Sequence, residues 1–363
     1  SAQAMSALLI RQNDLARLTR RSRAPVEAAL RHTPLPAMPY RELSERETAE
    51  VAERVERTIR DENLRRSGEN DPTVWIRGWG EIAAGLKQTG ISRETLRPQY
   101  FHDEPLCRLF GRYIRPLDRM FEYNLGLALR SIIFDEFLGG SPMIAEFGAG
   151  TGINILLLSE LFPKASLVAA DWAPVCVDIY TQMAWETGKA ISGEVFNMLT
   201  ADGWAPNERN CAFLTVHAME QLETRWQPFC DFIFERQPPI CVHIEPLFEH
   251  YDEQSPFDDR ARRYHLKRGY LRGFLPHVLA QCRAGKGELL ASRRVELGHL
   301  LRREHPRHHH RVIHPRHVHA GMRRIHWRHR LTAVAEPALH EMDLVVLAHD
   351  DPGRQRLDDR AGP

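Results

Sequence analysis

The segment EFGAGTG, residues 146–152, decides the fold class of this chain. It has glycine at every second position from Gly148 and lies between two apolar runs. Glycine costs stability inside helices and strands, and it is used where a backbone turns sharply or approaches a ligand closely. Three glycines so close together therefore indicate a tight turn that a ligand can approach.

Short apolar runs alternate with longer amphipathic ones after this turn begins. This alternation, with nearly continuous apolar strands, is typical of a doubly wound, mostly parallel α/β sheet covered on both faces. Ligands bind such sheets beyond the carboxyl ends of the strands, and the glycine segment follows the first of them. The predicted strands are MIAEFG, SLVAADW, GEVFNML, CAFLTVHAM and PICVHIEP, and the predicted helices between them include GINILLLSELFP, APVCVDIYTQMAWETG and TRWQPFCDFIFER.

The region before the sheet is predicted to be a mostly helical N-terminal domain or lid, residues 1–140. Ser44 and Glu47 form a Ser-x-x-Glu capping signature ahead of a helical pattern. Gly139, Gly140 and Pro142 then mark a boundary. The ligand-binding α/β domain is predicted to span residues 141–298.

Composition excludes several classes of protein. The chain has 363 residues with 43% hydrophobic content, and 49 basic residues balance 48 acidic ones. Overall charge therefore predicts neither a nucleic-acid partner nor an acidic one, and no apolar run is long enough to cross a membrane. The six cysteines lack a C-x-x-C pair and are expected to be reduced. Because the N-terminus also lacks the basic-then-apolar pattern of a secretion signal, we expect a cytoplasmic protein.

The glycine pattern separates two kinds of nucleotide-like ligand. A nicotinamide-type Gly-x-Gly-x-x-Gly would need glycine at position 153, which is Ile153. Instead, Glu146 and the three glycines give acid-x-Gly-x-Gly-x-Gly. This pattern resembles motif I of the class I S-adenosylmethionine-dependent methyltransferases, and the resemblance covers roughly residues 120–296. It implies the Rossmann-like methyltransferase fold and S-adenosylmethionine as cofactor.

The resemblance also implies which residues hold the cofactor. Glu146 is expected to face the ammonium group of the cofactor. Asp171, the acid at the end of the second strand, is expected to bind its ribose hydroxyls. Asp171 lies 19 residues after Gly152. Trp172 would cover the face of the adenine. The end of the third strand would contact the edge of the adenine; the family often has an aspartate at this position, and this chain has Asn197. The predicted cofactor-binding residues are Glu146, Gly148, Gly150, Gly152, Asp171, Trp172, Asn197 and Met198.

Each of these residues also has a purely structural alternative. The glycines suit a plain β-to-α loop, and Asp171 suits a helix cap. Trp172 suits core packing, while Asn197 suits a turn.

Polar residues at the next two strand ends are the candidates for the acceptor side. Glu245, held at a strand end by the following Pro246, is the first candidate for a base or acceptor-binding group. His217 and Glu220 are the next candidates. The structural alternative is that His217 merely lines the cofactor and that Glu220 caps the next helix.

The tail, residues 299–363, does not fit the rest of the chain. Residues 299–330 hold ten histidines and nine arginines but a single acid, Glu304. A metal- or RNA-binding arm, an ordinary divergent tail and a slipped reading frame all explain this composition. Residues 341–348 are compatible with a last strand.

The sequence thus predicts an enzyme that transfers a methyl group from S-adenosylmethionine to a nitrogen or oxygen of a small molecule. Nucleic acid is not an expected partner, and no metal is expected in the site. The alternative is an RNA- or metal-binding protein that uses the Arg/His-rich tail, with the sheet as scaffold.

Overall fold

The computed structural model describes residues 7–31, 33, 36–64, 66–67, 72–97, 106–204, 210–300 and 341–349. Within these residues the strands join into one sheet, in the order β1-β2-β4-β3-β11-β12-β10-β9-β5-β6-β7-β8. The strands are β1 (Leu8–Leu9), β2 (Pro39–Glu42), β3 (Leu106–Leu109), β4 (Arg112–Pro116), β5 (Met143–Phe147), β6 (Ser166–Asp171), β7 (Ile191–Asn197), β8 (Asp202–Gly203), β9 (Cys211–Val216), β10 (Ile240–Glu245), β11 (Glu288–Leu300) and β12 (Glu341–Ala348).

Helices connect most of these strands. Ser44 caps one of them as its sequence predicts, since its hydroxyl accepts a hydrogen bond from the Glu47 amide. The helices are α1 (Gln12–Thr19), α2 (Arg23–Leu30), α3 (Glu45–Arg60), α4 (Pro72–Thr89), α5 (Phe121–Leu138), α6 (Ile153–Leu161), α7 (Val175–Thr187), α8 (Gln227–Arg236), α9 (Pro256–Arg268) and α10 (Phe274–Arg283), with short 3₁₀ turns at Met219–Leu222 and Phe248–His250.

The centre of the sheet is parallel, which confirms the predicted α/β fold. Strands β7, β6, β5, β9 and β10 pair in parallel. The chain moves outward from β5 through β6 to β7, then returns to the other side of β5 as β9. The order of the strands therefore reverses at β5, and residues 148–152 follow its carboxyl end.

The prediction of a helical N-terminal domain is not confirmed. Helices α1 to α5 are present, but strands β1 to β4 extend the same sheet beyond β11. These strands have two to five residues each. Such short segments have too few residues to show an alternating pattern, and β3 is specified by its pairing with the distant β11.

Strand β12 lies inside the sheet, antiparallel to both β10 and β11. Its side chains Leu344, Val345, Val346 and Leu347 are buried. Register and burial of this kind are not expected of an out-of-frame sequence, so a slip in the reading frame would have to end before Glu341. The Arg/His-rich residues 301–340 lie outside the described residues.

Two apolar cores cover the faces of the sheet. One packs α5, α6 and α7 against residues such as Ile144 and Leu214, and the other packs α8 and α10 against Phe147 and Phe213. Burial on both faces explains why these strands are nearly continuous apolar runs. Among the described residues, no helix is long and apolar enough to cross a membrane.

Candidate active site

The turn after β5 has a backbone that requires glycine. Gly148, Gly150 and Gly152 have φ values of 74°, 54° and 77°, in the left-handed region. The Gly148 amide donates to the Ala170 carbonyl of β6 at 2.8 Å, which draws the turn across the strand ends. A Cβ at Gly148 would lie 2.4 Å from the Ala218 Cβ, so the turn also fits closely against the loop after β9.

Glu146 has a buried carboxylate of which only one oxygen is bonded. Its Oε1 accepts a hydrogen bond from Asn154 Nδ2 at 2.6 Å, and Asn154 Oδ1 accepts one from Arg130 Nη1 at 2.8 Å. The buried Oε2 has no hydrogen-bond partner among the described residues. Burial raises the pKa of Glu146 to about 8, against the smaller opposing effects of Asn154 and Arg130. An unpaired buried oxygen of this kind is suited to a cationic or hydrogen-donating ligand group.

Asp171 ends β6 and ties the glycine turn to it. Its Oδ2 accepts a hydrogen bond from the Gly150 amide and its Oδ1 accepts one from the Ala173 amide, both at 3.0 Å. Burial raises the pKa of Asp171, although these amide hydrogen bonds oppose the effect. The Cys176 thiol and the Trp172 amide also hydrogen-bond to this carboxylate, so ligand hydroxyls would have to share or replace some of these bonds. Trp172, beside it, is half-buried against the core of α5 to α7.

Asn197 and Met198 follow β7 in different roles. Asn197 Oδ1 accepts a hydrogen bond from the Leu199 amide at 2.9 Å, which is the bond of an Asx turn. Met198 reaches the glycine turn, because its Cε lies 3.2 Å from the Cβ position of Gly148. The structure therefore places Met198 beside the candidate cofactor site and gives Asn197 a part in shaping the turn.

His217 and Glu220 form a pair in the loop after β9. His217 Nδ1 lies 3.4 Å from Glu220 Oε2, and the two side chains are 29% and 10% exposed. His217 has φ of 52°, a left-handed conformation that is uncommon outside glycine. Its amide donates to the Ile244 carbonyl of β10 at 2.9 Å, which holds the strained residue in place. The imidazole is thus partly open to solvent next to a carboxylate.

Glu245, the last residue of β10, is buried and holds this same loop. Its Oε1 accepts a hydrogen bond from the Ala218 amide at 3.1 Å, and its Oε2 accepts one from the Glu220 amide at 3.2 Å. Burial raises the pKa of Glu245 to about 7. Both oxygens therefore stabilise the backbone that carries His217 and Glu220.

Residues that precede the glycine turn in sequence lie against the same edge of the sheet. Trp79 of α4 lies 3.5 Å from the Cβ position of Gly150, and Thr151 Oγ1 donates to the Leu96 carbonyl at 3.0 Å. Arg66 forms an ion pair with Glu223, which lies in the loop after β9. The N-terminal region therefore contacts both loops of the candidate site.

Three of these contributors were not predicted from the sequence: Asn154, Arg130 and Trp79. Asn154 was detectable, because it is polar within the apolar helix INILLLSEL and directly follows the glycine turn. Arg130 and Trp79 come from α5 and α4, and nothing local in the sequence relates them to residues 146–152. Within the described residues, no group of three or more His, Cys, Asp or Glu side chains is arranged to hold a metal ion.

No protein-family model matches the chain, and no curated protein matches it either. Solved structures do resemble it. Coclaurine N-methyltransferase bound to N-methylheliamine and SAH shows 10% identity and a TM-score of 0.39, with 78% of this chain and 75% of that chain covered. Geranyl diphosphate C-methyltransferase from Streptomyces coelicolor A3(2), in complex with S-adenosyl-L-homocysteine, shows 12% identity and a TM-score of 0.37, with 60% and 82% covered.

The cyclase SpnF is also similar, at 13% identity and a TM-score of 0.41, with 64% of this chain and 76% of that chain covered. Methyltransferases that use S-adenosylmethionine are thus among the solved structures similar to this chain, as its sequence predicts.

Proposed function

We propose that this protein is an S-adenosylmethionine-dependent methyltransferase that acts on a small molecule. The observation that carries the proposal is the buried, unpaired Oε2 of Glu146, directly before a turn with three left-handed glycines. A purely structural loop gains nothing from burying an acceptor without a partner, because such a group costs about 1–3 kcal/mol. A ligand that supplies a cation there removes this cost.

The residues present fit the chemical groups of this cofactor. Glu146 would hold the ammonium group of the cofactor, and Asp171 would hold its ribose hydroxyls. The adenosine portion would lie beside Trp172 and Met198. The glycine turn has no Cβ at positions 148, 150 and 152, so its backbone can lie close to the amino-acid portion. When bound, the cofactor supplies an electrophilic methyl group on a sulfonium, so the protein's task is chiefly to align the acceptor.

The loop after β9 is proposed to meet the acceptor. His217 is partly exposed and Glu220, beside it, is buried, so the imidazole can meet a polar acceptor group and the pair can take its proton. Glu245 acts through them, because its two hydrogen bonds fix the amides of Ala218 and Glu220. We therefore assign His217 and Glu220 to acceptor binding and deprotonation, and Glu245 to positioning of their loop.

Calorimetry with S-adenosylhomocysteine tests the cofactor site. Gly150→Ala and Asp171→Ala should each weaken binding at least about tenfold, since each removes or displaces a group at the ligand. Gly188→Ala is the control for backbone strain, because Gly188 has φ of 62° and open space around its Cβ position. Asp178→Ala is the control for loss of a carboxylate, since Asp178 is exposed on α7.

Two results would contradict the proposal: absence of binding by the native chain, or undiminished binding in both Gly150→Ala and Asp171→Ala. If binding is established, small nitrogen and oxygen nucleophiles can be screened by mass spectrometry for products heavier by one methylene group. His217→Ala should abolish product formation while leaving the affinity for S-adenosylhomocysteine within a few-fold of the native value. That separation distinguishes the acceptor side from the cofactor side.

A further inference from the structure

His250 lies between a buried carboxylate and an exposed hydroxyl, outside the site described above. Its Nδ1 is 2.8 Å from Asp343 Oδ1, and its Nε2 is 3.1 Å from Ser292 Oγ. The three residues come from the turn after β10, from β12 and from β11. The sheet therefore brings together a serine, a histidine and an aspartate that are far apart in the sequence.

The tautomer of His250 sets the direction of both hydrogen bonds. A carboxylate oxygen accepts, so the contact with Asp343 places a proton of the imidazole on Nδ1. Nε2 then has a free lone pair and accepts the hydrogen bond of the Ser292 hydroxyl. A serine whose hydroxyl is directed at an imidazole nitrogen, in a ring itself oriented by a carboxylate, has the arrangement of an activated nucleophile.

Surrounding contacts hold two of the three groups in place. Asp343 is 1% exposed, and its Oδ2 accepts a hydrogen bond from the Leu247 amide at 2.8 Å. The His250 carbonyl accepts a hydrogen bond from Arg294 Nη1 at 3.4 Å. Ser292 is exposed on β11, so its hydroxyl is accessible to a reagent. Rigid support behind an accessible nucleophile distinguishes this cluster from a chance surface contact.

We propose that Ser292, His250 and Asp343 form a second reactive site, which accepts an acyl group from activated carboxylic esters. Ser292 Oγ forms a bond to the ester carbonyl carbon while His250 Nε2 takes its proton. The bond between that carbon and the leaving oxygen breaks, and His250 returns the proton to the departing alcohol. Water then hydrolyses the acyl-serine. Asp343 is a positioning residue that keeps the imidazole in the required tautomer.

The competing explanation is that His250 merely links its turn to β11 and β12. Such a link predicts no unusual reactivity at Ser292. Ser192 is the matched comparison, because it is also exposed on a strand and has no histidine partner among the described residues. The two serines can be compared within one native chain, so the test does not depend on whether a variant folds. It also does not depend on the methyltransferase proposal.

The experiment treats the full-length chain with an alkyl fluorophosphonate and locates the adduct by peptide mass spectrometry. In this reaction an O–P bond forms at Ser292 and the P–F bond breaks, releasing fluoride. Ser292 should be labelled roughly 100-fold faster than Ser192, and His250→Gln should reduce its labelling by a similar factor. Release of p-nitrophenol from p-nitrophenyl acetate should disappear in Ser292→Ala and persist in Ser192→Ala. Labelling of Ser292 no faster than Ser192, or unchanged ester cleavage in Ser292→Ala, overturns the proposal.

Discussion

Gly148 and Ala218 approach each other so closely that a Cβ on Gly148 would lie 2.4 Å from the Ala218 Cβ. Real Cβ atoms do not come this near, so the glycine turn and the loop after β9 can touch only while position 148 has no side chain. The contact joins the proposed cofactor side of the site to its acceptor side. Its disruption should therefore affect stability and function together.

Gly148→Ala should destabilise the protein more than a glycine replacement that adds backbone strain alone. Gly111 has the same φ of 74° with nothing near its Cβ position, so Gly111→Ala measures the strain. We expect a loss of about 1–2 kcal/mol for Gly111→Ala from the left-handed conformation. Gly148→Ala should lose roughly a further 1–3 kcal/mol because its methyl group must displace the neighbouring loop. Urea unfolding of both variants checks this, and equal losses would show that the loop yields without cost.

Glu146→Gln should make the chain relatively more stable as the pH rises. Burial raises the folded-state pKa of Glu146 from 4.5 to about 8, so the folded chain binds the proton more tightly than the unfolded chain. The stability contributed by this group is fully present below about pH 4.5 and is lost as the pH rises to about 8. Glutamine does not titrate, so the stability of the variant minus that of the native chain should increase over this range. Urea unfolding at several pH values measures the difference, and a constant value would contradict the assignment.

The same carboxyl predicts proton release on cofactor binding. An ammonium group beside Glu146 favours its charged form, so a carboxyl that is partly protonated near neutral pH must lose its proton when the ligand binds. Calorimetry in two buffers of different ionisation enthalpy should show this release with S-adenosylhomocysteine. Glu146→Gln should abolish the buffer dependence and weaken binding. A buffer-independent heat in the native chain would place the ammonium elsewhere.

Glu245→Gln should destabilise the loop that carries His217 and Glu220. The carboxylate accepts hydrogen bonds from two amides, whereas a glutamine side chain can accept only one and turns an N–H toward the other. We expect a loss of about 1–3 kcal/mol in stability, accompanied by reduced turnover. Glu235→Gln, at an exposed position on α8, controls for the removal of a carboxylate. Reduced turnover with unchanged stability would instead show that Glu245 acts directly on the acceptor.

The sequence predicted the parts of this molecule that local patterns determine. The strands around β5, the helices between them and the turn at residues 146–152 follow from apolar periodicity and closely spaced glycines. The two hydrogen bonds of Glu245 to the loop after β9 could not be predicted from local patterns, because the partners lie 25 and 27 residues away along the chain. The pairing of β3 with β11 and the contact of His250 with Ser292 likewise depend on tertiary structure alone. Asn154 is the exception, because a polar residue in an apolar helix directly after the glycine turn is a local pattern.

His217 offers a test that separates conformation from chemistry. Its φ of 52° is strained for histidine but not for glycine, so His217→Gly removes the imidazole and the strain together. His217→Ala removes the imidazole and keeps the strain. We expect the glycine variant to be about 1 kcal/mol more stable than the alanine variant, while both lose turnover equally. Activity retained in His217→Gly alone would mean that residue 217 contributes only its backbone.

Replacement of the Arg/His-rich residues 301–340 by a short Gly/Ser linker should leave the fold intact. Strands β11 and β12 are antiparallel neighbours, and Gly298 pairs with Glu341, so a short turn can connect them. The melting temperature and the affinity for S-adenosylhomocysteine should both stay near the native values. Truncation after residue 340 is the necessary comparison, because it removes β12 from between β10 and β11. That truncation should prevent stable folding, since it uncovers buried side chains on both faces of the sheet. A large loss of stability in the linker variant would show that residues 301–340 contribute to the fold. If zinc or RNA stabilised the full-length chain but not the linker variant, that result would favour a binding arm.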